Sequence, residues 1–306
     1  MINKDIISKI KDNVHGELSI MELKELYRPD ALLYPKLGIG VIYYIRDIYQ
    51  DLSKLYGQEF VAHTPDEINE NTICYVGDLD INKILPTYNL KYVYGSILYN
   101  LDSVYNLENL EMVAGACNFE KIKSAEGLDS LEYIHGTCSM SNIITSKGLE
   151  NLKYIGFRAY FNKLKDASGF ENLERIGEDA NFESLEDSNG LEELKVIGGD
   201  ANFYNLKSAI GLSGLEKIGR EAYFPKLEDS KGLFNLKKIG QDAYFRELRK
   251  ADDLQNLRYI DGNAFFNEIE DGYEFENLKY IGKSENFAGL KLEEYRKKGK
   301  SLWKKK

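Results

Sequence analysis

The chain has 306 residues, is 43% hydrophobic and 29% charged, and carries a formal charge of −10. That composition can bury a core and excludes a wholly disordered chain. The acidic excess argues against direct nucleic-acid binding or attraction to an anionic membrane, and no apolar run reaches the eighteen or so residues of a membrane span. Three cysteines, Cys74, Cys117 and Cys138, cannot all pair, so a reducing cytoplasm is expected. The opening "MINKDIISKIKDNVHG" scatters acids and lysines among its apolar residues, unlike a secretory signal.

Residues 1–72 do not repeat and are read as an α-helical N-terminal cap domain. "NKDIISKIKDNV" and "SIMELKELY" predict helices, and Ser19 is a plausible N-cap. In "GVIYYIRDIYQDLSKLYG", Val41, Ile45, Ile48, Leu52 and Leu55 share one face of an amphipathic helix. Thr64-Pro65-Asp66-Glu67 has the form of a capping box with Pro at the first helical position. An open-ended array needs such a cover.

Residues 73–288 repeat a short phrase. A small residue and an aromatic recur as Ala159/Phe161, Ala180/Phe182, Ala201/Phe203, Ala222/Phe224, Ala243/Phe245 and Ala264/Phe266. Upstream the phrase degrades to Cys138/Met140, Cys117/Phe119, Ile97/Tyr99 and Leu79/Ile81. Before each pair stand two leucines and an isoleucine three apart, such as Leu149, Leu152 and Ile155. A unit this short cannot bury its own apolar residues, so neighbours must stack, Phe on Phe and Leu on Leu. The two-residue period of Ala-x-Phe predicts a strand with Ala and Phe inward. The expected fold is a β-rich, right-handed repeat solenoid of parallel strands, with about ten coils of roughly 21 residues and a rise of ~4.8 Å each. The glycine after each isoleucine, as at Gly156 or Gly219, marks a corner that needs positive φ or close backbone approach. Asn151, Asn172, Asn235, Asn256 and Asn277 are placed to bond the backbone of a neighbouring turn.

The phrase "GLENLKYIG" followed by "DAYF" resembles the leucine-rich repeats of the short bacterial kind and the coils of receptor L domains. It differs in having Leu164 and its equivalents where that family carries an asparagine ladder. The resemblance implies a non-catalytic interaction scaffold.

Three columns of charge run along the array. Lys165, Glu186, Lys207, Glu228, Arg249 and Glu270 alternate in sign, as do Glu132, Lys153, Glu174, Lys195, Glu216 and Lys237. Stacked opposite charges stabilise, so these are structural. Asp179, Asp200, Glu221 and Asp242 do not alternate. Neighbours about 4.8 Å apart would repel by about 0.9 kcal/mol in water. Either each carboxylate caps a backbone N–H at the corner, or the row meets a cationic partner. Beside it run the outward residues Tyr160, Asn181, Asn202, Tyr223, Tyr244 and Phe265, flanked by Tyr204, Pro225 and Arg246. A continuous aromatic patch marks a binding face. The expected partner is a protein, met by Tyr160, Tyr204, Tyr223, Tyr244, Phe265 and Arg246 and guided by the four acids. The alternatives are carbohydrate or small-ligand binding by the Tyr and Asn rows, or nucleic-acid mimicry by the acids. Cys117 and Cys138 take the place of the inward Ala, which makes them core residues. No catalytic constellation, metal set or cofactor fingerprint emerges, and a monomer is expected. Residues 289–306 predict a helix and then a basic tail that carries Trp303.

Overall fold

The computed structural model describes residues 57–270, 275, 277–282 and 285–286. These form a β-solenoid of about ten parallel coils. Among the described residues there are two sheets, one of 12 strands and one of 11; from Cys74 on each coil contributes one strand to each, and Val61–Ala62 adds one to the first alone.

The coil spanning 146–166 shows the plan. Leu149 and Leu152 point inward, and Tyr154–Ile155 forms the strand of the first sheet. Gly156 turns a corner, and Ala159–Tyr160 forms the strand of the second sheet. Phe161 and Leu164 then re-enter the core. Both sheets are in register: Ile155 pairs with Ile176, and Ala159 with Ala180. Identical residues therefore stack on identical residues. Phe182, Phe203, Phe224, Phe245 and Phe266 form one column with ring centroids 5.0–5.2 Å apart. Cys117 pairs in register with Cys138, and both are fully buried. Burial pushes both thiols above the ordinary range.

The Ala-x-Phe period predicts one strand in each coil; the structure has a second, which builds the first sheet. From Tyr133–Ile134 onward its strands are only two residues long, an outward residue followed by an inward Ile, and so carry no alternation of their own. The asparagine expectation holds. The side-chain amides of Asn151, Asn172, Asn235, Asn256 and Asn277 each donate to a carbonyl of the preceding coil at 2.6–2.8 Å.

The helical cap is not supported. Most of it, 1–56, lies outside the described residues, as does the tail 289–306. Residues 57–72 hold no α-helix, only the 3₁₀ turns Gln58–Phe60 and Pro65–Glu67 and the strand Val61–Ala62. The capping box heads a single turn. The Glu67 carboxylate accepts from His63 N at 2.7 Å and Thr64 N at 3.3 Å, but Ile68 is already extended. Val61–Ala62 pairs with Cys74–Val76, so the first sheet begins there.

The array also has a longer period. Ser146, Ser188 and Ser230 are buried and alternate with Ala125, Ala167, Ala209 and Ala251 in one inward column. Each serine hydroxyl bridges to the next coil. The Ser146 hydroxyl accepts from Gly169 N at 2.7 Å, Ser188 from Gly211 N at 3.0 Å, and Ser230 from Asp253 N at 3.0 Å. Two residues after each serine, Gly148, Gly190 and Gly232 adopt φ of +92°, +97° and +96°, which side chains rarely tolerate; Gly127, two residues after Ala125, does the same at +97°.

Ion pairs follow the same two-coil rhythm. In the two alternating columns Lys153–Glu132 (2.7 Å), Lys195–Glu174 (3.5 Å), Lys207–Glu186 (2.7 Å) and Lys237–Glu216 (2.9 Å) close. Each joins an alanine coil to the serine coil after it. Lys207 holds the Glu186 carboxyl below its usual range, first by the hydrogen bond and then by charge. Both partners are largely exposed, so the pair is screened by salt. Lys207→Glu sets three acids in succession with Glu186 and Glu228. We expect a small fall in melting temperature that grows as salt is lowered. An unchanged value at low ionic strength would mean that the column is not felt electrostatically.

Candidate interaction face

Outward residues of the second sheet come from every second position of its strands, because Ala243 and Phe245 point into the core while Tyr244 points out. Each coil thus presents a rung of three residues: Asp200, Asn202 and Tyr204; Glu221, Tyr223 and Pro225; Asp242, Tyr244 and Arg246. Tyr160, Tyr223, Tyr244 and Phe265 are half-buried in the central column, and Tyr204 and Arg246 are exposed on its downstream flank. Asp179, Asp200, Glu221 and Asp242 are half-buried on its upstream flank. Pro225 is buried. All ten expected site residues therefore lie on one side of the solenoid.

The aromatics form a continuous run. Tyr204 and Tyr223 have centroids 5.9 Å apart, Tyr223 and Tyr244 meet edge to face at 5.3 Å, and Tyr244 and Phe265 stack at 5.0 Å with 11° between planes. Cations cover two of the rings: Lys226 lies 4.9 Å from the Tyr204 centroid and Arg246 5.6 Å from that of Tyr244. Burial, and then its hydrogen bond to Asp242 at 3.2 Å, raises the Tyr244 phenol above its ordinary range. Tyr160 is separated from the run by Asn181 and Asn202. Those asparagines have local work. Asn181 Oδ1 accepts from Glu183 N at 3.0 Å, and Asn202 Oδ1 from Tyr204 N at 3.2 Å, each closing a turn at the strand end.

The acids cap backbone. Asp179 Oδ1 accepts from Asp200 N at 3.0 Å, Asp200 Oδ1 from Glu221 N at 3.0 Å, and Asp242 Oδ1 from Asn263 N at 2.7 Å. Asn263 Nδ2 also donates to Asp242 Oδ2 at 2.9 Å. Two arginines absent from the sequence reading offset the repulsion in the first half of the row. Arg158 reaches Asp179 at 3.2 Å, and Arg220 lies 3.1 Å from Asp200 and 3.6 Å from Asp179. The signal was present: Arg158 holds the acid's own column place one coil earlier, and Arg220 directly precedes Glu221.

Among the described residues no group of three or more His, Cys, Asp or Glu is arranged to hold a metal ion, and no helix is long and apolar enough to cross a membrane. No protein-family model matches the chain, and no curated protein matches it.

Proposed function

We propose that the protein is a non-catalytic, leucine-rich-repeat-like scaffold that binds a protein partner through the outward face of its second sheet. The observation that carries this reading is the continuous run Tyr204, Tyr223, Tyr244 and Phe265 beside Arg246. Tyr and Arg are the residue types that most often anchor protein interfaces. The acids Asp179, Asp200 and Asp242 are fixed by their backbone bonds and, with Glu221, set the polarity of the upstream flank.

A carbohydrate ligand is the weaker reading. Sugars stack on open ring faces, whereas Tyr244 and Phe265 turn faces to each other and Lys226 covers a face of Tyr204. Ring edges remain outward, and those suit protein side chains.

The test is capture from a native-cell lysate by the intact chain and by Tyr223→Ala with Tyr244→Ala. Truncating an anchor aromatic typically costs about 2 kcal/mol or more in affinity. The stacking lost within the protein is worth about 1 kcal/mol. We expect capture to vanish while the melting temperature falls by only a few degrees. Undiminished capture, or a collapse of the melting temperature, would make the face structural and the reading wrong.

A further inference from the structure

We infer that the partner on this face is a second copy of the same chain, docked side by side and parallel, with a two-fold axis along the solenoid. The inference rests on the face-binding reading above and names its occupant.

Two features point to a copy. The first is spacing. The face repeats once per coil, at ~4.8 Å, over about 24 Å from Tyr160 to Phe265. A partner that meets every rung must carry the same spacing, and another copy does so by construction. The second is the polarity of the rung at Tyr244. Asp242 stands on the upstream flank of Tyr244 and Arg246 on the downstream flank, whereas the rung of Asp179, Asn181 and Glu183 is acidic on both. A two-fold axis along the solenoid brings the upstream flank of one copy against the downstream flank of the other at the same height. Asp242 then faces Arg246 of the second copy, and the central aromatics meet themselves. An antiparallel pairing would set Asp179, Asp200, Glu221 and Asp242 of one copy against the same four acids of the other. Among the described residues Arg246 closes no ion pair within its own chain and lies over Tyr244, poised at the edge of the patch. The face is narrow, so the dimer is weak, with a dissociation constant on the order of micromolar.

The experiment is sedimentation equilibrium of the full chain over a wide concentration range, combined with a short bismaleimide cross-linker. Tyr160→Cys and Phe265→Cys lie five coils apart on the central column. Cys74, Cys117 and Cys138 are buried and stay silent. The expected result is a concentration-dependent dimer in which each cysteine variant cross-links to itself, and a mixture gives no 160-to-265 product. Arg246→Glu should weaken the dimer at least tenfold, and Arg246→Lys should largely keep it. Cross-links only between 160 and 265 would overturn the parallel arrangement. A monomer at all concentrations overturns the inference. If that monomer still captures another protein and loses it in the Tyr223/Tyr244 double variant, the face-binding reading survives; if it does not, both fall.

Discussion

Gly219→Ala should destabilise the protein by about 3 kcal/mol or more, far beyond what one methyl group on a half-exposed corner suggests. A Cβ at that position would lie 1.8 Å from the carbonyl oxygen of Gly198 and 2.5 Å from its carbon. Neither atom can swing away, because both belong to backbone. Gly219 N donates to Ile197 O at 2.8 Å, which fixes the spacing of the two coils. Relief requires prising the coils apart and losing ladder bonds in both sheets. Of the two roles open to these glycines, close approach is the one realised; a Cβ at Gly156, Gly177, Gly198, Gly219 or Gly240 would fall 1.8–2.0 Å from a carbonyl oxygen, and none of the five has positive φ. The coils with Ala114, His135 or Asp261 at this place carry the glycine one residue later, at Gly115, Gly136 and Gly262. The measurement is chemical denaturation followed by circular dichroism, with exposed Lys217→Ala as control. A loss under about 1 kcal/mol would show that the corner can open cheaply.

Phe203→Ala should cost about 3–5 kcal/mol. The ring is fully buried between Phe182 at 5.2 Å and Phe224 at 5.0 Å, both nearly parallel to it. In an array each coil is stabilised only by its neighbours, so a weak rung in mid-array uncouples the two halves. We therefore expect not only a lower midpoint but a broader or two-step denaturation curve. Phe203→Met supplies the comparison, because Met140 already occupies this column next to Phe119 and Phe161. It should retain one transition and lose only about 1 kcal/mol. If the Ala and Met variants behave alike, the aromatic column is not what couples the coils.

The solenoid was legible because repetition multiplies a weak signal. One Ala-x-Phe is ambiguous, but six in register fix which side of the strand is inward. The asparagine bonds and the buried cysteines were legible for the same reason. The first sheet was not, since a strand of two residues such as Tyr154–Ile155 has no period to detect. On the candidate face, the acidic row stood out because it broke the alternation of its neighbours. What offsets it did not, because Arg220 reaches across two coils to Asp179, a relation no sequence spacing marks. The chain before residue 57, where the helical cap was read, lies outside the described residues.

The serine-and-alanine alternation gives the array a unit cell of two layers, not one. Removing or inserting a single coil would leave a domain wall, where serine coils or alanine coils adjoin and lysine or glutamate meets its own kind in both charge columns. Removing or inserting two leaves the lattice unbroken. Between Ala125 and Ala251 the array therefore changes length at least cost in pairs of coils.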